Sequence, residues 1–565
     1  MTDRNRWSVC VGVFLAVAMA ALLAVSSGRA LADEPAAAAG PTTSADWPQW
    51  RGPTRDGIVH GGPKLADSWP KEGPKLLWKS GAIPGGSKGA GGGSGSIVVS
   101  GGRAFVFAST KAVVKLIDDK DLSDLGWEEG IPEDLPNAID KEHTQANLRK
   151  WNKMKPEEWD AYVKEFMATL NPEWVKNCGP FIQKRMNLMK QGEFQMTHWN
   201  LLKGVVAMRG KKFAAYEELN HLIPEFGNVH SGAMGTARAL LAQRCIGHSD
   251  LVICLDAATG KELWRKEYPG QMWSSQHGEH GWYFNTWPAS STPAICDDKC
   301  YVATSAGFYC LSVKDGHEVW HAKAGLASSS PLVFNGAVFA IDGEGDCSLV
   351  ARDASSGKLL WCQPKVNFTF SSPFLWACGG KNYLICYAGN GLFCIDPDNG
   401  AVVSQQGGWL AQGAYSTPAL AGDVLFIIER HAAYKLTPSK LESLWSNNAL
   451  QPTRGGSFVI YQDHAYGDGS CVDLKTGAVK WRGPCNESCT PVVADGKIFS
   501  NINDGGGWGA ISGICMVRAN PDKYEELGKI ILHSDGFSTP AIANGKLFMR
   551  LLDCVACYDL TASGN

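Results

Sequence analysis

Beyond residue 237, apolar and polar residues alternate along most of the chain in short runs with a period of two. This alternation is typical of β-strands that bury one face and expose the other. Turn-forming pairs such as Asn335-Gly336 and Asp495-Gly496 separate the runs and suit tight hairpins. One template, a small residue and Pro followed by four such runs, returns about every 40 residues. Each repeat therefore predicts four antiparallel strands, A to D.

Two landmarks set the boundaries of the repeats. A Pro opens strand A, where its missing N–H costs no ladder hydrogen bond, and a Trp lies in strand D. The landmarks recur at Pro293, Pro331, Pro373, Pro418, Pro491 and Pro540, and at Trp264, Trp320, Trp361, Trp445 and Trp481. The units begin near Ser94, Ser290, Ser328, Ser371, Ser416, Gly456, Ser488 and Phe537. Eight four-stranded units predict an all-β fold, an eight-bladed β-propeller.

The last unit is one strand short. It ends at Leu560 after three strands, whereas residues 75–78 resemble a strand D that has no strands A to C before it. We therefore predict that this N-terminal strand completes the last blade and closes the ring. The expected division is a signal peptide at 1–32, an N-terminal tether with the Trp47-Pro-Gln-Trp-Arg-Gly-Pro53 segment at 33–74, the closing strand and start of the first blade at 75–117, a mainly helical insertion at 118–236, and the remaining propeller at 237–565.

The N terminus has the layout of an export signal. Basic residues precede an apolar run from Val9 to Val25, and the small-residue site Ala30-Leu31-Ala32 follows it. Cleavage after Ala32 is favoured over an uncleaved anchor, although the run approaches the roughly 20 residues that span a bilayer. No other run is long enough to span, so the mature chain is predicted to be periplasmic or secreted and to lack a transmembrane segment.

The insertion interrupts the first blade between strands B and C. Pro156 opens an amphipathic helix, and further helix is expected over 181–190, 198–208 and 211–221. Residues 141–212 carry fourteen basic and seven acidic side chains, whereas residues 118–134 carry eight acidic and one basic. Mutual neutralisation of the two stretches is favoured over a basic face that binds a partner. The formal net charge of −3 argues against nucleic-acid binding.

Cysteine is frequent for an exported chain, and the leader contains only one of the 18. Six cysteines share one strand-C position, which Ala351 fills in the third unit; they are Cys254, Cys310, Cys394, Cys471, Cys515 and Cys557. A slot that takes Cys or Ala favours small, buried, unpaired thiols. The pairs Cys296/Cys300, Cys485/Cys489 and Cys554/Cys557 have the spacing of hairpin bridges or metal ligands, and the sequence leaves the connectivity open.

These motifs resemble the PQQ-binding-like β-propeller repeat proteins, the superfamily of quinoprotein alcohol dehydrogenases and BamB-type assembly factors (PQQ is pyrroloquinoline quinone). The matching residues are Asp46-Trp-Pro-Gln-Trp-Arg-Gly-Pro53 with Arg55-Asp56-Gly57, the strand Leu76-Leu77-Trp78, and repeats such as Cys254-Leu-Asp-Ala-Ala-Thr-Gly-Lys-Glu-Leu-Trp264. The resemblance covers nearly the whole mature chain outside the insertion. It implies that the repeat Trp residues dock between neighbouring blades.

The resemblance leaves the activity open, because a fold does not fix a function. Catalytic quinoproteins typically carry adjacent cysteines beside the quinone, and this chain has no Cys-Cys pair. They also need calcium ligands and an Asp base on the funnel face, which B-C loops and blade connections form. The candidates there are Asp342, Glu344, Asp346, Asn390, Glu429, Arg430, Asp468, Asp504 and Asp553, with Trp409 and Trp508 for stacking.

A separate polar cluster, His277-Gly-Glu279-His280, lies in a long connection. It is a weak candidate for zinc, and a polar loop is the favoured alternative. On these grounds we expect an exported, non-catalytic propeller that needs no cofactor and binds an envelope component or serves as a scaffold there. The alternative is a PQQ- and calcium-dependent dehydrogenase of alcohols or sugars, and small-molecule or glycan binding in the funnel is a third possibility.

Overall fold

The computed structural model describes residues 46–561 except for a set of segments. These are residues 85–94, 114–117, 125, 143, 191–198, 200–201, 204–205, 207–208, 211–245, 271–290, 324–328, 345–346, 368, 408–415, 451–455, 484–489, 503–509 and 536–537, together with the side chains of 111–113, 121, 124, 145, 246–248, 270, 342–344, 347, 510–512 and 533–535. The described chain forms eight four-stranded antiparallel sheets, each of which is one blade.

The blades follow one another along the chain. The N-terminal strand β1 is Lys75–Lys79. The strands of blades 1 to 4 are β2 (Val98–Ser100), β3 (Arg103–Val113), β4 (Ile246–Asp256), β5 (Glu262–Gly270); β6 (Ala294–Cys296), β7 (Lys299–Ala303), β8 (Phe308–Ser312), β9 (Glu318–Ala322); β10 (Leu332–Phe334), β11 (Ala337–Glu344), β12 (Cys347–Asp353), β13 (Leu359–Gln363); and β14 (Phe374–Cys378), β15 (Lys381–Ala388), β16 (Gly391–Ile395), β17 (Val402–Gln406). Those of blades 5 to 8 are β18 (Ala419–Ala421), β19 (Val424–Ile427), β20 (Ala432–Leu436), β21 (Leu441–Ser446); β22 (Val459–Tyr461), β23 (His464–Gly467), β24 (Ser470–Asp473), β25 (Val479–Arg482); β26 (Val492–Ala494), β27 (Lys497–Ile502), β28 (Ala510–Arg518), β29 (Glu526–Asp535); and β30 (Ala541–Ala543), β31 (Lys546–Arg550), β32 (Val555–Asp559).

The closure predicted from the sequence is confirmed. Strand β1 pairs antiparallel with β32, and Trp78 lies opposite Cys557 in the position that the strand-D Trp takes in the other blades. The last blade thus takes three strands from the C terminus and one from the N terminus. The start and the end of the propeller are joined through a complete hydrogen-bonded sheet.

Hydroxyl groups link the inner strands around the ring. A Ser or Thr precedes strand A of each blade. At seven joints of the described structure its side-chain oxygen accepts a hydrogen bond from a backbone N–H of the preceding blade at 2.8–3.1 Å; the N–H/oxygen pairs are Ser96/Thr292, Thr292/Ser330, Ser330/Ser372, Ser372/Thr417, Thr417/Ser457, Ser457/Thr490 and Thr539/Ser96. The sequence showed a small residue before each Pro. The structure explains why that residue is Ser or Thr, because its hydroxyl forms the hydrogen bond between blades.

The outer strands are joined by tryptophan, as the resemblance implied. In six blades the strand-D Trp donates its indole N–H to a backbone carbonyl of the next blade at 2.7–3.2 Å; the pairs are Trp78/Ala257, Trp264/Val313, Trp320/Ala354, Trp361/Pro397, Trp445/Leu474 and Trp481/Asn520. At five of these joints the ring covers the glycine of the next C-D turn. At Gly357, for example, a Cβ would lie 2.6 Å from the Trp320 ring. We call this arrangement the Trp dock.

The strand-C slot lies directly beneath the dock. Cys310 pairs with Trp320 on strand D and with Tyr301 on strand B, and the equivalent residues pair in the same way elsewhere. The six slot cysteines are buried and form no disulfide, as predicted from their alternation with Ala351. Burial raises the pKa of the Cys310 thiol to about 12, so it behaves as a small apolar side chain. Of the three closely spaced pairs, Cys296/Cys300 and Cys554/Cys557 are free thiols, and Cys485/Cys489 lies outside the described residues. A further cysteine, Cys362, is disulfide-bonded.

An N-terminal segment, residues 46–58, contacts the inner strands of six blades; we call it the plug. Trp47 exchanges two backbone hydrogen bonds with Val99 of blade 1, and the carbonyl of Pro48 accepts one from the N–H of Ile295 in blade 2. The N–H of Val493 in blade 7 donates to the carbonyl of Gly57. The Asp46 carboxylate accepts from the N–H of Gly101 in the A-B turn of blade 1, so the first residue of the plug lies at the A-B end of that blade.

The insertion leaves blade 1 between β3 and β4, where the sequence placed it. Its described helices are α1 (Asp119–Asp124), α2 (Asp134–Asp140), α3 (Gln145–Trp151), α4 (Pro156–Ala168) and α5 (Pro172–Lys190). They bury a core of their own, which includes Trp151, Trp159, Phe181 and Met186. The helix expected over 211–221 lies outside the described residues. None of the described helices is both long and apolar enough to cross a membrane.

The two charged stretches of the insertion contact each other. Arg209 forms ion pairs with Asp119 at 3.1 Å and Glu129 at 3.3 Å, and Lys203 pairs with Glu133. Within the core, Arg185 and Asp140 form a bidentate pair. The favoured interpretation, mutual neutralisation, therefore agrees with these contacts.

Candidate functional site

The funnel candidates lie at the B-C ends of the blades, and only part of them can be placed. Asp346, Asp504, Trp409 and Trp508 lie outside the described residues, as do the cluster residues His277, Glu279 and His280. Glu344 ends β11 opposite Cys347, but its side chain and that of Asp342 are not described. Asn390, Glu429, Arg430, Asp468 and Asp553 are described.

Asn390 holds a loop together. Its side-chain oxygen accepts from the N–H of Asn367 at 3.1 Å, and its amide NH₂ donates to the carbonyl of Lys365 at 2.6 Å. The carbonyl of Asn390 accepts from the side chain of Gln405. Both ends of the amide are engaged with the backbone, so this residue fixes the connection between blades 3 and 4.

Glu429 and Arg430 belong to a single helical turn, Ile428–Arg430, that replaces a B-C hairpin in blade 5. One carboxylate oxygen of Glu429 accepts from the N–H of Ser416 at 2.8 Å. His431 ends the turn with a left-handed φ of 52°, which is uncommon for a residue with a side chain. The turn thus presents three consecutive polar side chains, each partly exposed.

The structure adds Tyr387 of blade 4 to this turn, although its place in an alternating strand gave no functional signal. Burial raises the pKa of its phenol, with a further contribution from the nearby Glu429 carboxylate. The Tyr387 hydroxyl, the Ser416 hydroxyl and Nε2 of His431 are buried atoms without a hydrogen-bond partner in the described structure. We call these residues, with Glu429 and Arg430, the joint 4–5 cluster. Burial, followed by the neighbouring Arg430, lowers the pKa of His431, so its imidazole is neutral at pH 7.

Two arginines of the plug form a second buried polar group. Arg55 donates to the carbonyls of Pro331 and Ser330 in blade 3 and of Pro373 in blade 4, the last at 2.7 Å. Arg51 donates to the carbonyl of Phe458 in blade 6 at 2.7 Å. Desolvation lowers the pKa of Arg51 to about 10, and desolvation together with the Arg51 charge lowers that of Arg55 to about 9. Both remain cations at neutral pH, held by backbone carbonyl dipoles.

A buried carboxylate joins blades 1 and 2. Asp250 of β4 is fully buried, and one of its oxygens accepts from the backbone N–H of Ser305 at 2.6 Å and from its hydroxyl at 2.7 Å. Its other oxygen has no partner in the described structure, nor does the hydroxyl of Ser109, which lies opposite Asp250 on β3. Burial raises the pKa of Asp250 to about 6, against the opposing effect of the Ser305 bonds.

The described residues do not match a calcium-quinone site. A calcium ion requires six to eight converging oxygen ligands, but the amide of Asn390 is engaged with the backbone and Glu429 holds Ser416. Within the described ranges, no group of three or more His, Cys, Asp and Glu side chains is arranged to hold a metal ion. No chemical step is therefore derived through a quinone or a metal.

The blades, their Trp docks and the N-terminal closing strand define the class: an eight-bladed β-propeller built from sequence repeats. Residues 249–483, somewhat less than half of the chain, match the family model described as outer membrane protein assembly factor BamB. With the repeats and the observed fold, this match makes residues 249–483 similar to the PQQ-like β-propeller repeat proteins. No curated protein matches the sequence closely enough to count as a relative.

Solved structures with a similar fold include a BamB protein and two dehydrogenases. BamB from Moraxella catarrhalis is 14% identical with a TM-score of 0.42, over 56% of this chain and 90% of its own. The quinohemoprotein alcohol dehydrogenase from Comamonas testosteroni is 11% identical with a TM-score of 0.37, over 92% of this chain and 81% of its own. A europium-containing methanol dehydrogenase is 12% identical with a TM-score of 0.29, over 55% of this chain and 72% of its own. These values do not separate an assembly factor from a dehydrogenase.

Proposed function

We propose that this protein is an exported, non-catalytic propeller that binds a component of the cell envelope or serves as a scaffold there. The observation that carries the proposal is the use of the described funnel groups. Asn390 and Glu429, two of the predicted calcium or quinone ligands, hold backbone N–H and carbonyl groups of their own loops. Side chains committed in this way stabilise a rigid surface.

Two further points support a binding role. The family model that matches residues 249–483 is named for an outer membrane protein assembly factor, which is a non-enzymatic description. The ring is fastened at the inner strands by hydroxyl bonds and at the outer strands by Trp docks. A rigid ring offers a partner a preformed surface, so little conformational entropy is lost on binding.

The decisive experiment adds PQQ and calcium to the purified protein. On this proposal the quinone absorbance is unchanged, the melting temperature does not shift, and no dye is reduced with alcohols or sugars. Capture of specific envelope proteins by the tagged chain, from the cells that express it, is the positive result. A bound quinone with turnover would establish the dehydrogenase instead, and calcium without PQQ is the control for metal binding alone.

Export has its own test. The proposal expects the mature protein in the periplasmic or secreted fraction, with an N terminus at Asp33. N-terminal sequencing of the protein from fractionated cells measures this directly. An intact leader on a membrane-bound protein would support the anchor alternative, and a cytoplasmic protein would contradict export.

A further inference from the structure

The joint between blades 1 and 2, joint 1–2, contains a carboxyl group at its funnel end. Strands β3 and β4 run on to Val113 and Ile246, so Asp250 lies within the sheet, four residues before the slot residue Cys254. The residue at the same distance before the slot in blade 2 is Ala306, which belongs to the B-C turn between β7 and β8. The longer sheet of blade 1 therefore places an acidic side chain inside the joint.

Two described contacts hold this end of joint 1–2. One oxygen of Asp250 accepts from the N–H and the hydroxyl of Ser305, in the B-C turn of blade 2, at 2.6 and 2.7 Å. Opposite Asp250 on β5, Tyr268 stacks on Tyr309 of blade 2, with ring centroids 4.0 Å apart. A change in the charge of Asp250 therefore acts directly on a contact between the two blades.

The surroundings of Asp250 offset little of its charge. The residue is 0% exposed, and its second oxygen accepts no hydrogen bond from the described residues. Its interactions within the described structure come from hydroxyl and backbone N–H groups of the blade 2 turn, and none comes from a cation. A buried carboxylate without a countercharge is costly, whereas a neutral carboxyl is much less so. The closed joint therefore favours the protonated form of Asp250.

The other titratable groups at this end of the joint leave that preference in place. The described ones on β5, β8 and β9 are Lys266, Tyr268, Tyr309, Glu318 and His321. Burial raises the pKa of both tyrosines, so both stay neutral near pH 7. His321 pairs with Glu318 at 2.6 Å. Lys111 and His248 lie two positions further along β3 and β4, and their side chains are not described.

We propose that Asp250 is a proton-controlled latch between blades 1 and 2. In its neutral form the carboxyl keeps the B-C turn of blade 2 closed against blade 1, and loss of the proton favours opening of this end of the joint. The insertion leaves the propeller from the same strands, β3 and β4. A rise in pH therefore loosens the part of the funnel rim beside the insertion. The inference goes beyond the proposed function and does not depend on it.

The size of the effect follows from linkage between proton binding and opening. Desolvation in the closed joint raises the pKa of Asp250 to about 6, whereas opening returns the carboxyl to water and to its ordinary value of 3.8. Closure is thus favoured fully below pH 3.8, and this contribution is lost as the pH rises through 6. Opening should be about tenfold more frequent at pH 8 than at pH 5, with little further change above about pH 7.

Hydrogen–deuterium exchange of the full-length mature protein, followed by mass spectrometry at pH 5, 7 and 8, measures the opening. Rates are corrected for the intrinsic pH dependence of amide exchange. Peptides that cover residues 302–309 report the B-C turn of blade 2. Peptides that cover residues 386–393 report the B-C turn of blade 4, which contains no acidic residue and is the internal control. We expect opening to increase with pH in the first turn and to stay constant in the second.

Two variants separate a latch from a merely structural contact. Asp250→Asn keeps an acceptor for Ser305 but cannot ionise, so its corrected exchange should be independent of pH. Ser305→Ala removes one bond that favours the ionised carboxyl, so its pH dependence should exceed that of the wild type. A structural contact alone predicts that each variant increases opening by the same factor at every pH.

Three results would overturn the proposal. The first is equal corrected exchange of residues 302–309 at pH 5 and pH 7 in the wild type, a measurement that needs no variant. The second is an equal increase in the blade 4 turn, which would indicate loosening of the whole ring. The third is a pH dependence that persists in Asp250→Asn, which would assign the effect to another group such as His321.

Discussion

Replacing Asp250 by Asn should change how the stability of the propeller depends on pH. The folded protein buries this carboxyl completely, and burial raises its pKa to about 6 from its ordinary value of 3.8. The native state therefore holds the proton more tightly than the unfolded chain. Stability from this group is fully present below pH 3.8 and is lost as the pH rises through 6.

The magnitude follows from the two pKa values. Across the whole range the difference corresponds to roughly 3 kcal/mol, and between pH 8 and pH 5 the wild type should gain roughly 1.4 kcal/mol from Asp250. Asparagine keeps an oxygen that can accept from both the N–H and the hydroxyl of Ser305. It carries no charge, so it avoids the desolvation cost at high pH. We therefore expect Asp250→Asn to be more stable than the wild type at pH 8 and to lose that advantage toward pH 5.

Urea denaturation followed by tryptophan fluorescence, at pH 8 and pH 5, measures the effect. All other titrating groups are common to both proteins, so they cancel in the difference between the two unfolding free energies. Asp522→Asn, at an exposed aspartate, is the control for loss of a surface charge. A stability difference between Asp250→Asn and the wild type that is equal at the two pH values would refute the reasoning. The reasoning would also be refuted if the unfolding free energy of the variant, minus that of the wild type, were smaller at pH 8 than at pH 5.

Three further substitutions test the ring itself, each by its unfolding free energy. Gly357→Ala should cost roughly 2–4 kcal/mol, because a Cβ there would lie 2.6 Å from the Trp320 ring and φ is +72°. The control Gly336→Ala, at φ +74° with open space around the Cβ, should cost only roughly 1 kcal/mol. Equal costs for the two substitutions would contradict the dock. Arg55→Met should cost roughly 3 kcal/mol by leaving carbonyls of two blades unpaired, and a change within the range of surface substitutions would contradict the plug. Cys310→Leu should cost roughly 1–3 kcal/mol by overpacking the slot. The thiol of Cys310 in the wild type should react with Ellman's reagent only after unfolding, and ready reaction in the native state would contradict its burial.

The fold was predictable because period-two alternation and recurring Pro and Trp residues report strand faces directly. Trp264 and Cys254 repeat at fixed offsets, and the structure pairs them across neighbouring strands. The closing strand could be found because Trp78 matched a strand D that lacked its partners. Repetition therefore carried the architecture, including the number of blades and the way the ring closes.

The polar site could not be read in the same way. Tyr387 occupies an alternating strand position, and nothing in the sequence shows that its hydroxyl meets a turn of the next blade. The motif containing Arg51 and Arg55 was recognisable, but the carbonyls that these arginines bind lie hundreds of residues away. Contacts between blades depend on how each sheet is rotated toward its neighbour, and alternation within a strand does not encode that rotation.

The two joints without a strand-D Trp in the described structure show why the polar cluster lies where it does. At joint 7–8, strand D has Lys529 opposite Cys515, but Trp69 of the N-terminal segment packs on Gly528 and against Phe499. An aromatic residue from elsewhere in the chain thus covers strand D of blade 7.

At joint 4–5 the bridge from Trp376 to Asp423 is at the A-B end of the blades. The B-C end of the same joint is left to Tyr387, Ser416 and the turn that carries Glu429. Because Ser404 stands where other blades have the strand-D Trp, hydroxyl and charged groups replace the apolar seal at this joint. This replacement is the physical reason that the polar cluster lies at the funnel end of joint 4–5.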